Sequence, residues 1–374
     1  MKVTVLSFDL SDNATGRAGL LARLLAPRYA VEVVGPQFGP ELWKPAQAGP
    51  VAHRGVPGAR YPAFAARLPA LLRLIDGDLV YASKPRPTSF GVGLLRRLVS
   101  RRPLLLDIDD WELGFFYRSD VWGRIGRFLN LSNPNGLPWT WLMERLVPLA
   151  GGLTVGSRFL EARFGGTLIP HVRDTDAWRP DRYDPAEARA RLGAGDRRVV
   201  MFLGTARAYK GIDDLIEAVR LLGRPDVLLA LVGVGTRYAR APFIRATDEI
   251  PFDDVPRYVA AADVVAAPQR ATTDTTGQVP AKIFDAMALA RPVVSTRVSM
   301  IPEILEGCGL VVEPGDPKGL AEAIAWLLDH PAEARDLGLR GRARCEALYS
   351  FTAARARLFP LVEALLGRAP TRRP

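Results

Sequence analysis

The residues best suited to chemistry include a lysine and an aspartate three positions apart, Lys282 and Asp285. They follow a polar loop and Pro280, and the spacing of Ile283 and Met287 predicts a helix with a buried face. Residues three apart share a helix face, and the start of a helix attracts an anion. One interpretation is therefore a phosphate at Lys282 and a hydroxylated group such as ribose at Asp285. The other is an exposed ion pair on a surface helix.

A second cationic pair, Arg207 and Lys210, lies in a loop that begins at Gly204. This loop joins a predicted strand, Val199–Leu203, to a predicted amphipathic helix, Ile212–Leu222. Arginine and lysine beside a helix N-terminus form an anion site, and a diphosphate suits two cations and a helix dipole. The loop therefore predicts a diphosphate site.

Other polar loops follow predicted strands of the same half, and a strand-like segment, TDEIPF, lies between them. These stretches carry Gly233, Ile250, Thr276 and Gly277. Ligands of open α/β sheets bind beyond the carboxyl ends of the strands. We therefore expect these residues to converge with the two cationic stretches on one face.

An acidic cluster ends the predicted strand Leu104–Ile108, and it comprises Asp107, Asp109, Asp110 and Glu112 around Trp111. The D-x-D spacing invites a metal interpretation, although no histidine lies near in the sequence. At the carboxyl end of a strand, Asp109 or Asp110 should face a cleft. A capping or turn role for one of them is the alternative.

Residues 113–148 are dense in aromatic side chains interleaved with arginines. They include Phe115, Phe116, Tyr117, Trp122, Phe128, Trp139 and Trp141 with Arg118, Arg124 and Arg127. Aromatic side chains at this density can form a core. Tryptophan and arginine in a segment broken by proline and glycine also suit a surface that meets an acceptor or a membrane.

Composition limits the classes of protein. The chain has 374 residues and a formal charge of +10. Residues 1–180 carry 23 Lys+Arg and 15 Asp+Glu, a balance of +8, so the basicity belongs to the N-terminal half. Two widely separated cysteines, Cys308 and Cys345, favour a reducing, cytoplasmic setting, and no apolar run of about eighteen residues predicts a membrane span. No nucleic-acid recognition motif is present, so a nucleic-acid partner is not expected.

The order of the elements predicts two domains. The opening strand Val3–Phe8 leads into a loop with Gly16, where a backbone could approach a ligand closely. Strand–loop–helix units then repeat, restart near Val199 after a proline-rich linker, and predict two doubly wound, Rossmann-like α/β domains facing a central cleft. We expect a first domain over 1–180 and a second over 181–350, with a C-terminal segment over 351–374.

Several segments together resemble the retaining glycosyltransferases of the GT-B fold, specifically family 4. LGTARAYKGIDDLIEAV resembles that family's phosphate-binding loop, and FDAMALARPVV and VVEPGDPKGLAEAIAWLLDHP resemble its donor-domain segments. IPHVRDTDAWRP is similar to its domain linker, and YSFTAARARLFPLVEALL to its returning helix. The resemblance covers nearly the whole chain. It implies an N-terminal acceptor-binding domain over 1–180, a nucleotide-sugar-binding domain over 181–350 and a C-terminal helix over 351–374 that crosses back to the first domain.

The resemblance implies roles for individual residues. Arg207 and Lys210 would bind the donor diphosphate and stabilise the leaving group, the backbone near Ile250 would hold the base, and Asp285 would bind the ribose. Gly16 would approach the phosphates from the N-terminal domain. The family needs no metal or other cofactor and retains the anomeric configuration.

The chain also departs from the family pattern. Gly277 stands eight residues before Asp285, where the family has a carboxylate that contacts the sugar. Lys282 matches a subgroup that has a lysine near the phosphates. Asp109 and Asp110 replace a familiar histidine, and Arg291 replaces a glycine that would adopt a left-handed conformation.

These observations predict a cytoplasmic enzyme that transfers a sugar from a nucleotide-diphosphate sugar to a glycan, a lipid-linked acceptor or a small molecule. Its basic N-terminal domain is a candidate for peripheral contact with the inner membrane face. The alternatives are a GT-B nucleotide-sugar epimerase and a catalytically inactive nucleotide-sugar-binding module.

Overall fold

The computed structural model describes residues 1–47, 49–117 and 121–367, and the chain forms two compact units. Unit 1 comprises Met1–Pro170 together with the chain from Ala354 onward, and unit 2 comprises His171–Ala353. Arg118 and the side chains of Trp122 and Arg124, which belong to the expected aromatic and arginine segment, lie outside the described residues.

Unit 1 is built on a parallel sheet of seven strands in the order β3-β2-β1-β4-β5-β6-β7. The strands are β1 Lys2–Leu6, β2 Ala30–Gln37, β3 Ala52–Pro57, β4 Leu79–Ser83, β5 Leu104–Ile108, β6 Gly152–Val155 and β7 Thr167–Leu168. Every residue of β4 and β5 is buried, as expected for central strands that helices cover on both faces. The strand order reverses between β1 and β4, which is the switch point of a doubly wound sheet.

Seven helices of unit 1 lie between these strands in the described sequence. They are α1 Thr15–Leu25, α2 Ala63–Leu74, α3 Val92–Ser100, α4 Gly114–Tyr117, α5 Val121–Leu129, α6 Leu137–Arg145 and α7 Arg158–Phe164. The core of the unit joins apolar side chains of the central strands to those of the covering helices, including Phe64 and Leu71 of α2.

Unit 2 repeats the plan with a parallel sheet of six strands in the order β10-β9-β8-β11-β12-β13. The strands are β8 Arg198–Leu203, β9 Val227–Val232, β10 Ile244–Ala246, β11 Val264–Ala267, β12 Val293–Thr296 and β13 Leu310–Val312. The helices are α8 Pro185–Arg191, α9 Ile212–Leu222, α10 Val255–Ala260, α11 Ala281–Ala288, α12 Ile301–Ile304, α13 Pro317–Asp329 and α14 Pro331–Leu348. Its switch point lies between β8 and β11, so the loops after these strands border the position where such sheets bind ligands.

The last described helix, α15 (Phe351–Gly367), begins in unit 2 and belongs to unit 1 from Ala354 onward. Within unit 1, Arg355 donates to the carbonyl of Leu24 over 3.1 Å. Phe359 packs edge-on against Tyr29, with 6.2 Å between the ring centroids. The C-terminal residues therefore complete the packing around α1.

Local structure differs from expectation at three places. Helix α1 begins at Thr15, so Gly16 lies in its first turn and not in a loop. The segment around Ile250 is a loop, and the nearby strand is β10. The left-handed residue after α11 is Ala290, with a φ of 52°, and not Arg291.

Among the described residues, no helix combines the length and the apolar character that crossing a bilayer requires.

Candidate active site

The loop after β8 in unit 2 is shaped by two glycines with positive φ angles. Gly204 has a φ of 108° and Gly211 a φ of 65°. A Cβ atom at Gly211 would lie 1.9 Å from the carbonyl oxygen of Pro268, so no larger residue fits there. Between the glycines, a single helical turn, Ala208–Lys210, leads into α9. The loop therefore runs close to the chain that follows β11.

Two lysine ammonium groups converge beside Gly204. A Cβ atom placed on this glycine would lie 4.0 Å from the Nζ atoms of both Lys210 and Lys282. The Nζ atom of Lys210 donates to the carbonyl oxygen of Thr205 over 2.8 Å and approaches its Oγ1 atom at 3.3 Å. Two cations next to a backbone without a side chain form a site that an anion can approach closely.

Lys282 is buried although it is a lysine. Its Nζ atom lies 4.0 Å from the centroid of the Phe202 ring, and within the part of the chain that the structure describes it has no hydrogen bond or ion pair. Burial and the charge of Lys210 lower its pKa well below the ordinary value, and Asp285 offsets this only in part. A bound phosphate would supply a negatively charged partner for this ammonium group.

The neighbouring glycine and arginine of the predicted set also lie in unit 2. Gly233 has a φ of 85°, and a Cβ atom there would lie 3.6 Å from the backbone of Gly204, so the loops after β8 and β9 touch. Arg207 is exposed, and its Nη1 atom donates to the carbonyl oxygen of Ala206 over 3.3 Å. Its side chain is therefore not locked by the fold.

The remaining predicted donor residues are Ile250, Thr276 and Gly277, which follow β10 and β11 at the same edge of the sheet. Ile250 is half-buried and Gly277 is buried. Thr276 is exposed, and its Oγ1 atom donates to the carbonyl oxygen of Thr272 over 3.1 Å. The structure thus brings Gly204, Gly233, Lys210 and Lys282 together and places these three residues in adjoining loops.

Asp285 has a partner that the sequence did not reveal. Its Oδ1 atom forms a buried ion pair with Nε of Arg173, which lies 112 positions earlier in the chain. The Arg173 guanidinium also lies 5.4 Å from the Trp178 ring centroid and 5.7 Å from that of Phe252. No local pattern links these positions, so only the folded chain shows that Asp285 is held.

In unit 1, the acidic residues after β5 surround a lysine. The Nζ atom of Lys84 lies 2.9 Å from Asp109, 2.7 Å from Asp110 and 2.8 Å from Glu112, and Glu112 also pairs with Arg86. We call these five residues the Lys84 cluster. The three carboxylates could in principle ligate a cation. Because the ammonium group already lies among them, the geometry favours a charge network over a metal site.

Burial and charge act in opposite directions within the Lys84 cluster. Burial disfavours the charged form of Lys84, but the three carboxylates outweigh it and raise its pKa well above the ordinary value. Burial, with the charges of Asp109 and Glu112, raises the pKa of Asp110 despite the attraction of Lys84. Burial also opposes ionisation of Glu112, yet Arg86 and Lys84 lower its pKa. Asp110, whose side chain is 16% exposed, is the most accessible carboxylate of the cluster.

Asp107, the first acid of the sequence cluster, has a separate structural role. Its two oxygens accept from Nε and Nη2 of Arg17 over 2.9 and 2.7 Å, and Thr154 donates to it over 2.7 Å. Gly16, the neighbour of Arg17, lies in the first turn of α1, where a Cβ atom would come within 3.0 Å of Trp43. Gly16 therefore permits close packing between α1 and Trp43.

The aromatic segment is partly core and partly surface. Phe115 and Phe116 are half-buried, whereas Phe128 and Trp141 are exposed. The Arg145 guanidinium covers Trp141, 3.9 Å from the ring centroid. A groove of about 820 Å³ borders α6 and β6; its lining includes Trp141, Arg145 and the ion pair Glu144–Arg163. The segment thus contributes both half-buried and exposed aromatic side chains, and a role of the exposed ones in meeting an acceptor or a membrane stays a prediction.

Comparison with known proteins identifies the relatives of these units. Residues 197–330 match the family described as glycosyl transferases group 1, and this range contains every predicted donor residue of unit 2. A GDP-mannose-dependent alpha-(1-6)-phosphatidylinositol monomannoside mannosyltransferase of Mycolicibacterium smegmatis is 34% identical over 225 residues, which cover 54% of this chain and 59% of that protein. The chain resembles glycosyltransferase family 4. This confirms the resemblance inferred from its motifs.

A second relative is also a sugar transferase by name. Alpha-D-kanosaminyltransferase of Streptomyces kanamyceticus is 28% identical over 196 residues, which cover 48% of each chain. The chain thus spans between about half and three fifths of the length of these curated relatives.

Solved structures confirm the expected fold class of two Rossmann-like α/β domains of GT-B type. HepE of Anabaena in complex with UDP-glucose aligns with a TM-score of 0.74 at 19% identity, over 97% of this chain and 100% of that one. Sucrose-phosphate synthase of Thermosynechococcus elongatus aligns with a TM-score of 0.72 at 20% identity, over 98% and 99% of the two chains.

Proposed function

We propose that this protein is a retaining glycosyltransferase that uses a nucleoside-diphosphate sugar as donor. The observation that carries the proposal is the convergence of Lys210 and Lys282 beside Gly204, at the carboxyl edge of the sheet of unit 2. Two cations at this position suit a diphosphate, and the burial of Lys282 strengthens its attraction to the phosphate charge. The transferase names of the relatives favour sugar transfer over an epimerase or an inactive module.

Each donor residue then has a chemical task. Lys210, Lys282 and the exposed Arg207 bind the diphosphate and stabilise the charge that grows on it as the sugar bond breaks. The backbone near Ile250 holds the base, Asp285 the ribose, and Gly204 and Gly233 allow the phosphates to approach the main chain. Thr276 and Gly277 border the sugar. Because lysine charges do this work, we expect transfer to be insensitive to a chelator such as EDTA.

The acceptor, a glycan, a lipid-linked intermediate or a small molecule, binds unit 1 in this proposal. Of the two predicted aspartates, Asp110 is better placed than Asp109 to accept a hydrogen bond from an acceptor hydroxyl, since its side chain is 16% exposed against 5%. The leaving diphosphate takes the proton of the attacking hydroxyl, so neither aspartate has to act as the base.

Unit 1 also has a surface suited to a peripheral membrane contact. Leu98 and Val99 of α3 are 79% and 73% exposed, and Arg97 beside them donates to the carbonyl oxygen of Leu149, which is exposed too. Arg101, the residue that follows α3, is exposed and adds positive charge to this region. Exposed leucines among arginines favour an anionic bilayer, as at an inner membrane face.

The substitution Lys210→Ala tests the donor site. We expect it to abolish sugar transfer and donor hydrolysis and to leave the circular dichroism spectrum unchanged. Lys318→Ala, at an exposed lysine of the same unit, is the matched control and should retain activity. Unchanged turnover in Lys210→Ala would refute the assignment.

The nucleotide can be identified by thermal stabilisation with GDP, UDP, ADP and dTDP, because a ligand that binds only the folded state raises its melting temperature. GDP is the first to test, since the mannosyltransferase relative is GDP-mannose-dependent.

Sedimentation with neutral and anionic vesicles tests the membrane contact. Wild-type protein should bind the anionic vesicles, and Leu98→Glu should lose this binding.

A further inference from the structure

Arg173 occupies an unusual position for an arginine, because its guanidinium is buried at the start of the proposed ribose-binding helix. The residue is 6% exposed. Its Nε atom pairs with Oδ1 of Asp285, and its Nη2 atom donates to the carbonyl oxygen of Ala281 over 3.3 Å. The Arg173 side chain therefore contacts α11 at two places, the carbonyl of its first residue, Ala281, and the carboxylate of Asp285.

The same guanidinium is enclosed by two aromatic rings. Trp178 and Phe252 lie 5.4 and 5.7 Å from it, and their ring centroids are 5.5 Å apart. Phe252 stands two residues after Ile250, in the loop proposed to hold the base. Arg173 thus links the proposed base loop to the proposed ribose carboxylate.

The backbone of Arg173 is fixed as well. Its N–H donates to the carbonyl oxygen of Tyr349, and its own carbonyl accepts from the N–H of Phe351, each over 2.9 Å. These two hydrogen bonds fix the backbone of Arg173 to residues outside the donor loops. The position of Arg173 therefore does not depend only on its contacts with α11.

The pairing leaves Asp285 with one oxygen to offer. Among the contacts of the described residues, Arg173 takes Oδ1, and Oδ2 has no hydrogen bond. Asp285 also interacts with Lys282 and favours the charged form of that lysine. An aspartate without Arg173 would be drawn towards Lys282 and away from a ribose, because opposite charges attract strongly at low dielectric.

We propose that Arg173 is a positioning residue for donor binding, which holds Asp285 so that Oδ2 accepts a hydrogen bond from a ribose hydroxyl. The inference rests on the proposed function, since it requires a nucleotide at this site. Among the described residues, the contact of Arg173 with the proposed donor ligands is its ion pair with Asp285, the proposed ribose ligand. Its effect is therefore specific to the ribose.

The test compares Arg173→Lys with the wild-type full-length protein by calorimetry. The ligands are the nucleoside diphosphate that stabilises the protein best, its 2′-deoxy and 3′-deoxy counterparts, and inorganic pyrophosphate. In the wild type we expect the ribonucleotide to bind at least about tenfold more tightly than one of the deoxynucleotides, the loss of one hydrogen bond to a charged group. In Arg173→Lys this preference should fall below about threefold, chiefly through weaker ribonucleotide binding, while pyrophosphate affinity is retained.

Arg335→Lys, at an exposed arginine of unit 2, is the matched control and should keep the full preference. A preference that survives in folded Arg173→Lys overturns the inference and leaves the proposed function standing. So does a wild-type protein that binds ribo- and deoxynucleotides equally, a measurement that needs no variant to fold. Failure of the wild type to bind any of the four nucleoside diphosphates overturns the proposed function and the inference together.

Discussion

Two buried lysines, Lys84 in unit 1 and Lys282 in unit 2, lie at the carboxyl edges of similar parallel sheets and have opposite electrostatics. Lys84 lies within 2.9 Å of three carboxylates, and its pKa is raised. Lys282 lies against the ring of Phe202 and near another lysine, and its pKa is lowered. Burial is common to both, so the neighbouring charges decide the difference.

The contrast separates a charge that the protein compensates from one that it does not, which we propose serves the donor site. The charge of Lys84 is compensated by the three neighbouring carboxylates, so this ammonium group does not need an anionic ligand. The charge of Lys282 is not fully compensated by the protein, so its burial costs desolvation free energy. A bound anion would offset that cost. Such uncompensated groups cluster at functional sites.

The largest expected effect comes from Lys84→Met, which would leave the buried carboxylates of the Lys84 cluster with Arg86 alone. We expect it to lower the free energy of unfolding by about 3–5 kcal/mol, because removal of one partner strands the other charges. Denaturant unfolding measures this change, with the exposed Lys44→Met as the control. A loss similar to that of the control would show that the carboxylates do not need Lys84.

Lys282→Met should do the reverse. It removes a buried charge that lacks compensation, so the free energy of unfolding should stay constant or rise. The affinity for a nucleoside diphosphate should fall about ten- to a hundredfold, as expected for a lost contact between charged groups. Calorimetry measures the affinity, and denaturant unfolding measures the free energy of unfolding. A variant as unstable as Lys84→Met would erase the contrast between the lysines.

Nucleotide affinity should also depend on pH through Lys282. In the free protein its pKa lies well below the ordinary lysine value, and a bound diphosphate favours the ammonium form and raises it again. Binding between these two pKa values therefore takes up a proton, and affinity falls as the pH rises through the lower one. Calorimetry in buffers of different ionisation enthalpy measures the uptake. The uptake should vanish in Lys282→Met.

The smallest effects are expected within the Lys84 cluster. The pKa of Asp110 is raised in the folded state, so its contribution to stability is present at low pH and is lost as the pH rises through that value. Asp110→Asn should therefore change stability at neutral pH by less than about 1 kcal/mol, or increase it. The pKa of Glu112 is lowered, so its contribution is present at neutral pH and is lost on acidification. Glu112→Gln should consequently destabilise more than Asp110→Asn, and the reverse order in denaturant unfolding would contradict these charge assignments.

The sequence predicted the parts of the structure that local patterns encode. The buried runs that form β5, β8 and β9 mark central strands, and the loops after β8 and β11 carry glycine, lysine and proline where a helix begins. Because parallel strands end at one edge, chain order alone indicated that Lys210 and Lys282 could meet. Their convergence in the structure needs no information beyond this topology.

Long-range pairs and short edge strands were not predictable in this way. The partners of Asp285 and of Asp107, Arg173 and Arg17, lie 112 and 90 positions away, and no periodicity connects them. The strands β7 and β10 have only two and three residues, too few for a pattern. Lys84 also has a φ of 70°, a left-handed conformation that a sequence does not suggest for lysine.

The backbone pairing between Arg173 and Ser350 has a consequence for modularity. Unit 2 is a single stretch of chain, His171–Ala353, whose two ends lie side by side, and it interrupts a unit 1 built from two separate stretches. A module with adjacent ends can be excised or inserted into a host loop at little conformational cost. Unit 2 is therefore the portable part of this chain, whereas unit 1 needs residues from both sides of unit 2 in the sequence.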